Sequence, residues 1–170
     1  MKRPNLFCSD LGRAAAAIAI AFASLVIFSQ SAMAVEWNGI EPLKSRRADV
    51  ERILGQPTIN QPGQDGTLHF KILGGKVTVV FVNARFVTTK KLSPELEGTV
   101  LQIVLQHENS SETPESMLLV GNSNFERQDT QGGTIFRNLK DGIAYTFFNG
   151  KLKTTRYSPS AKQLGKARKG

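Results

Sequence analysis

The sequence predicts an α+β protein in which a short helix followed by antiparallel β-strands occurs twice. Apolar and polar residues alternate with period two in several segments, which is typical of half-buried strands. Two short helix-like segments each end at a glycine. The chain also matches itself at one fixed offset. We expect these elements to form one sheet or two, with the helices on one face.

The first 34 residues predict an export signal. Lys2, Arg3 and Arg13 accompany an uncharged apolar run at 14–28, and small residues then precede a cleavage site between Ala34 and Val35. The run is shorter than the roughly 20 residues of a membrane-spanning helix. An uncleaved anchor is the alternative. The mature protein is therefore expected to be periplasmic or secreted, with no transmembrane span.

Composition argues against several kinds of site in the mature chain. The 170 residues include 22 Lys+Arg, 14 Asp+Glu and a single cysteine. Because Cys8 lies in the predicted signal, a disulfide, a thiol nucleophile and a cysteine zinc site are not expected. Residues 161–170 (AKQLGKARKG) carry a net charge of +4 without an apolar pattern, which predicts a disordered basic tail.

A shift of 66 residues aligns 66–91 with 132–157 without a gap. At the same offset Gly55 falls on Gly121, so the match reaches upstream. This favours duplication over a chance likeness of two hairpins, and predicts one half at 35–107 and another at 108–160. Identical pairs are Gly66/Gly132, Phe70/Phe136, Leu73/Leu139, Phe81/Phe147, Asn83/Asn149, Thr88/Thr154 and Thr89/Thr155.

Each predicted half begins with a short helix. In the first, Ser45 is the expected N-cap of a helix at 48–54, and Gly55 ends it in a left-handed conformation. In the second, Thr113-Pro114 is a typical helix start and 117–120 continue it. The apolar face of the first helix is expected to hold Val50, Ile53 and Leu54.

The strands follow the helices. Asn83-Ala84 and Asn149-Gly150 fit two-residue hairpin turns, the second one strongly, and predict return strands at 85–91 and 151–157. A further strand is predicted at 99–106, with Leu101, Ile103 and Leu105 inward and Gln102 and Gln106 outward. Loops are predicted at 56–66 and 121–133. The inward residues of the two hairpins are Val77, Val79, Phe81, Ile143, Tyr145 and Phe147.

The search for catalytic chemistry yields little. His69 and His107 are the only histidines, and neither has a ligand-like neighbour at helical or strand spacing. We expect His69 at the surface or edge of a strand and His107 in a solvated loop. The sequence therefore predicts no catalytic, cofactor or metal site, and a protein that is not an enzyme.

The segment Trp37–Pro57, WNGIEPLKSRRADVERILGQP, resembles the opening of a family of small exported bacterial proteins. Its pattern is W-x-G-I-x-P-L-x-S-x-R-x-D-V-E-R-x-L-G-x-P, and no activity is assigned to the family. The later segments 142–145 (GIAY) and 157–160 (YSPS) resemble it too. Several members carry a cysteine pair that this sequence lacks, so no role of those cysteines carries over.

More distantly, the S-x-x-D-V-x-x-x-L-G-x-P pattern is similar to the SmpA/OmlA module and to each half of the β-lactamase inhibitor protein. Both resemblances imply non-enzymatic binding of other proteins, in the inhibitor through the sheet of a tandem repeat. The function we expect is thus an exported binding module with an unknown protein partner, docked on the sheet face or on the loops at 56–66 and 121–133.

Two alternatives remain open. The first is an envelope-associated protein that its basic tail holds weakly to an anionic surface. The second is an undescribed small hydrolase. Nucleic acid is a disfavoured partner, because the aromatic residues alternate into the predicted core and most of the excess charge lies in the tail.

Overall fold

The computed structural model describes residues 35–61 and 66–168. Val35 is the first described residue, and Ala34 with the rest of the predicted signal lies outside the described part. Cleavage between Ala34 and Val35 therefore stays a prediction.

The described chain is an α+β fold with an open antiparallel sheet of eight strands. Three α-helices accompany it: α1 (Arg47–Leu54), α2 (Ala84–Lys90) and α3 (Ala161–Ala167). A 3-10 turn covers Pro94–Leu96. The strands are β1 (Ile59–Gln61), β2 (Thr67–Ile72), β3 (Gly75–Phe81), β4 (Val100–His107), β5 (Glu126–Thr130), β6 (Gly133–Asn138), β7 (Ile143–Phe148) and β8 (Lys151–Tyr157).

The strand order across the sheet is β1-β2-β3-β4-β8-β7-β6-β5. Each half of the chain thus supplies four neighbouring strands, and the two sets meet where β4 pairs with β8. Ile103 lies opposite Tyr157 there, and Gln106 lies opposite Thr154. Of the two predicted arrangements, one continuous sheet is the observed one. The prediction that the helices lie on one face is wrong, because α1 packs on the face that carries Val77 and Val79, whereas α2 packs beside Leu101 on the opposite side.

One face of the sheet carries the core. Val77, Val79 and Phe81 are buried on it, as predicted, together with Val50 of α1. In the second half Phe147 is buried against Phe136, Leu152 and Leu119, while Ile143 and Tyr145 are only half-buried. The N-terminal segment and α1 cover the first part of this core face, and Met117 and Phe125 pack on the second.

The alternation of inward and outward side chains is interrupted near the start of β4. Ile103 and Leu105 are buried on the core face, as predicted, but Leu101 packs on the opposite side beside α2. The prediction for Leu101 was wrong because a β-bulge between Val80 and Phe81 shifts the pairing with β4 by one residue.

Helix α1 is close to its predicted position, but its cap differs. Arg46, not Ser45, is the N-cap residue. The Ser45 hydroxyl instead accepts a hydrogen bond from the Glu41 N–H at 2.9 Å, and the Asp49 carboxylate accepts one from the Arg46 N–H at 3.0 Å. Gly55 ends the helix with φ 80° and ψ −155°. The φ is positive, as expected, but the ψ lies outside the left-handed helical region that was predicted.

The predicted return strand at 85–91 is wrong, because these residues form helix α2. Asn83 does not open a hairpin: its side chain accepts a hydrogen bond from the Phe86 N–H at 2.8 Å and so caps the helix. The second return strand is confirmed as β8. Its Asn149-Gly150 turn has φ of 51° and 71°, as a type I′ turn requires.

The helix predicted at 117–120 is wrong: the segment forms only a turn. Leu118 has a left-handed φ of 52°, and the Leu119 N–H bonds back to the Pro114 carbonyl at 2.9 Å. The left-handed backbone at Leu118 interrupts the helical conformation one turn after Pro114. The predicted loop at 121–133 contains the exposed edge strand β5, and that at 56–66 contains β1.

The basic tail is not disordered over α3. The Ser160 hydroxyl accepts a hydrogen bond from the Gln163 N–H at 3.1 Å, and the Gln163 side chain accepts one from the Ser160 N–H at 2.8 Å. This capping box starts the helix. Gln163 also donates to the Pro42 carbonyl at 3.0 Å, which ties α3 to the N-terminal segment. None of the helices within the described ranges has the length and apolar character needed to cross a bilayer.

Candidate functional site

The sheet face opposite the core, called the open face below, is the candidate site. Its residues are half-buried or exposed on all eight strands. Helix α2 packs only at one end, where Phe86 belongs to a small apolar cluster with Val82 and Leu101. The rest of the face is available to a partner.

Strand pairing arranges the side chains of the open face in rows that run across the sheet. Directly opposed residues of neighbouring strands share a face, so each row can be followed from edge to edge. The first row is Ile59, His69, Thr78, Val104, Arg156, Ala144, Arg137 and Glu126. The second is Lys71, Lys76, Gln106, Thr154, Thr146, Ile135 and Gln128.

These two rows carry four cationic side chains and one carboxylate. The cations are Lys71, Lys76, Arg156 and Arg137, called the cation track below, and the carboxylate is Glu126 on the edge strand β5. Within residues 35–61 and 66–168, none of the four cations makes an ion pair. The open face is therefore positively charged across most of its width.

Lys71 and Lys76 lie directly opposite each other on β2 and β3. Like charges in this position destabilise a sheet. Glu108, two residues beyond Gln106, makes no ion pair with either lysine in the described part of the chain. The positive charge of this pair is available to an anion from outside.

Two shallow hollows mark the open face. A hollow of about 450 Å³ lies over β1–β4 and is lined by His69, Lys71, Lys76 and Thr78 among others. His69 Nδ1 is 3.1 Å from Thr78 Oγ1, which fixes the ring against the sheet. A second hollow of about 360 Å³ lies between Leu101 and α2 and has a mostly apolar lining.

The two histidines lie on opposite faces. His69 is within β2 on the open face, one strand from the edge, which agrees with a surface position. His107 is not in a solvated loop: it is half-buried in β4, and its Nε2 is 3.0 Å from Thr155 Oγ1. Burial lowers the pKa of the His107 imidazole below its ordinary value.

The part of the chain that the structure describes brings together no three His, Cys, Asp or Glu side chains that could hold a metal ion. What the open face offers is positive charge, hydroxyl and amide groups, and small apolar side chains. These groups suit binding of an acidic surface. Sequence reasoning named the sheet face but missed the cation track, because only the strand register shows which residues oppose one another.

Comparisons with protein-family models, with curated proteins and with solved structures find no match to this chain.

Proposed function

We propose that this chain is an exported, non-catalytic binding module that docks an acidic protein partner on its open face. The observation that carries the proposal is the contrast between the two faces of one sheet. Helix α1 and the segment around Met117 lie on the core face, whereas the cation track occupies the accessible one.

The size of the open face supports docking of a protein. Eight strands spaced about 4.8 Å apart span about 34 Å, and strands of six residues extend about 20 Å. The product, about 700 Å², is an upper bound because α2 covers one end and the edge strands are shorter, and it is of the order of the roughly 800 Å² that each partner buries in a standard interface. Since the strands hold one another in place, the backbone of this face needs little reordering on binding.

The charge of the open face supports an acidic partner. Four cations against one carboxylate produce a positive field that speeds the approach of a negative surface and disfavours a positive one. This attraction weakens as salt screens it. Thr78, Thr146 and Thr154 lie between the charges and supply hydroxyl groups for hydrogen bonds.

We also propose that the fold arose by tandem duplication. At the offset of 66 residues, β2 (67–72) falls on β6 (133–138), and β3 overlaps β7. The strand order reads alike from both edges, with the fourth strand of each half at the centre. The halves differ at 84–90, a helix in the first, where the second has β8.

Site-specific photocrosslinking tests the docking surface. A benzophenone amino acid is placed at Val104, in the middle of the open face, and in a control at Arg52, which is exposed on α1. The protein is irradiated in the cells that make it. We expect one covalent protein adduct from the Val104 position, reduced by the additional change Arg156→Glu. Equal adducts from both positions, or none from Val104, would contradict docking on the open face.

A second candidate function is attachment to an anionic envelope surface, and a specific observation favours it. Helices α2 and α3 lie together at one end of the sheet, where the Ser93 N–H donates to the Ala167 carbonyl at 3.0 Å. Neither helix contains an acidic residue, although Glu95 lies in the 3-10 turn that follows α2 and Glu97 comes directly after that turn. The exposed cations at this end are Arg85, Lys90, Lys91, Lys162, Lys166 and Arg168.

Vesicle sedimentation tests the second candidate. The protein should pellet with phosphatidylglycerol vesicles at low salt, remain free with phosphatidylcholine vesicles, and be released when salt is raised. Lys162→Glu together with Lys166→Glu should abolish pelleting, whereas Arg156→Glu on the open face should leave it unchanged. Pelleting that ignores both changes would exclude the α2–α3 end as the attachment site.

A further inference from the structure

From the spacing of the cation track we infer that the partner segment seated on the open face is an acidic α-helix that crosses the strands. This inference rests on the proposed function, because it names the shape and charge of the docked segment.

Counted in strands, the cations are spaced evenly across the sheet. Lys76 lies on β3, Arg156 on β8 and Arg137 on β6, and each is two strands from the next. Two steps between strands measure about 10 Å. Lys71, on β2 beside Lys76, extends the first position outward. Lys76 lies in the second row and Arg156 and Arg137 in the first, and the rows are two residues, about 7 Å, apart along the strands. The track therefore presents positive charge at three positions about 10–12 Å apart, along a line that crosses the strands obliquely.

A helix matches this spacing and an extended chain does not. Residues seven apart in an α-helix are about 10.5 Å apart and lie on nearly the same side. In an extended segment, residues about 10 Å apart are three positions apart, and they point to opposite sides. A helix can thus present carboxylates of one face to all three positions, whereas same-side residues of an extended segment are about 7 or about 14 Å apart and match the track less well.

The surface between the cations fits a helix as well. Ala144 separates Arg156 from Arg137, and Val104 lies next to Arg156 on the other side. These small apolar residues leave room for the turns of a helix between the longer cationic side chains. Glu126, opposite Arg137 on β5, would repel further carboxylates and so marks the end of the track.

The length of the docked helix follows from the same geometry. From β2 to β6 the sheet has five steps, about 24 Å. At 1.5 Å per residue this corresponds to about 16 residues. The inferred segment is thus a helix of about four to five turns with acidic residues repeated every seven positions.

Two synthetic peptides of equal composition test the inference. Both are fluorescein-labelled, helix-forming peptides of about 20 residues. One has pairs of glutamates repeated every seven residues on one face, and the other has the same glutamates distributed evenly around the helix. Binding to the mature protein is measured by fluorescence anisotropy at about 20 mM and about 200 mM NaCl.

We expect the one-faced peptide to bind at least about fivefold more tightly than its isomer, as aligned exposed ion pairs provide. Lys76→Glu and Arg156→Glu should each weaken its binding by about fivefold or more. The matched control Arg52→Glu, on α1, makes the same change of charge and should leave the affinity unchanged. A urea-unfolding midpoint for each variant verifies that it is folded.

Equal affinity of the two peptides, or equal losses from Arg156→Glu and Arg52→Glu, would overturn the inference. Crosslinking at Val104 separates this failure from failure of the proposed function. If the Val104 adduct persists while the peptides bind alike, docking on the open face stands and the helical partner is rejected. If the Val104 adduct is also absent, both are rejected.

Discussion

His107 links the fold to pH through its position in β4. Its pKa is lowered by burial, so the unfolded chain takes up the proton before the folded chain as the pH falls. Stability is therefore fully present above the ordinary histidine pKa, and part of it is lost as the pH falls below about 6.5 toward the lower pKa of the folded state.

We predict that His107→Gln reduces this loss. The urea midpoint of the wild type should fall between about pH 7.5 and about pH 5.5, and that of the variant should fall less. Glutamine keeps a group able to hydrogen-bond to Thr155 Oγ1 without titrating. Equal falls in wild type and variant would mean that other groups cause the pH dependence.

Gly55 is required by its backbone conformation alone. It has φ 80° and ψ −155°, and a Cβ added there would meet nothing within 4 Å. We predict that Gly55→Val destabilises the fold by about 1–3 kcal/mol through backbone strain. Urea unfolding at constant m-value measures the change.

Gly165 is the matched comparison. It lies in α3, a Cβ there also meets nothing within 4 Å, and its φ is ordinary. Gly165→Ala should stabilise the protein by up to about 1 kcal/mol, because alanine loses less entropy in a helix. A wild-type midpoint for Gly55→Val would refute the strain at the end of α1.

At the scale of elements, patterns that rest on burial were predictable and those that rest on a single hydrogen bond were not. The alternation in 77–81 indicated the buried side of β3 correctly. In contrast, the β-branched side chains of α2 (ARFVTTK) favour a strand. The segment is nevertheless a helix, because the Asn83 side chain caps its first turn. Likewise, the capping box of Ser160 and Gln163 was missed, because disorder was predicted for 161–170 from composition alone.

The open face was likewise only partly predictable from the sequence. Period-two alternation predicts which residues of a single strand point away from the core. It does not predict that β8 lies beside β4, because pairing between strands distant in the sequence depends on the whole sheet. Without that pairing the even spacing of the cations does not appear.

Phe147 and Phe148 test the strand phase of β7. Phe147 is 1% exposed and packs edge-on against Phe136 with ring centroids 5.8 Å apart, whereas Phe148 is 47% exposed. We predict that Phe147→Ala destabilises the protein by about 3–5 kcal/mol, and that Phe148→Ala changes stability by less than about 1 kcal/mol. Thermal or urea unfolding measures both changes in stability. A larger loss from Phe148→Ala than from Phe147→Ala would mean that the inward and outward residues of β7 are assigned the wrong way round.

For the whole molecule, one continuous sheet predicts one unfolding transition. Trp37, the sole tryptophan of the sequence, packs against the core of the first half. Since β4 and β8 join the halves, its fluorescence should change together with the far-UV circular dichroism. Phe147→Ala, in the second half, should shift both signals equally. A tryptophan signal that ignores this change would show that the halves unfold separately.

Processing is the remaining prediction at this scale. We expect the exported protein to begin at Val35, because small residues precede the cleavage site at Ala34. Intact-mass measurement of protein recovered outside the cytoplasm tests this. A full-length species that stays in the membrane fraction would contradict cleavage.

The central position of the β4–β8 pair also bears on the order of folding. Synthesis from the amino terminus completes β1 to β4 before β8 exists. Ile103 can therefore pair with Tyr157 only after more than fifty further residues have been made. Until then, β4 presents unpaired backbone groups on one side, the condition that invites strands of other chains. Such separated pairing raises the contact order and slows folding. A chain that ends before β8 would therefore be prone to aggregate. Pairing of β8 with β4 is thus the folding step that protects the first half from aggregation.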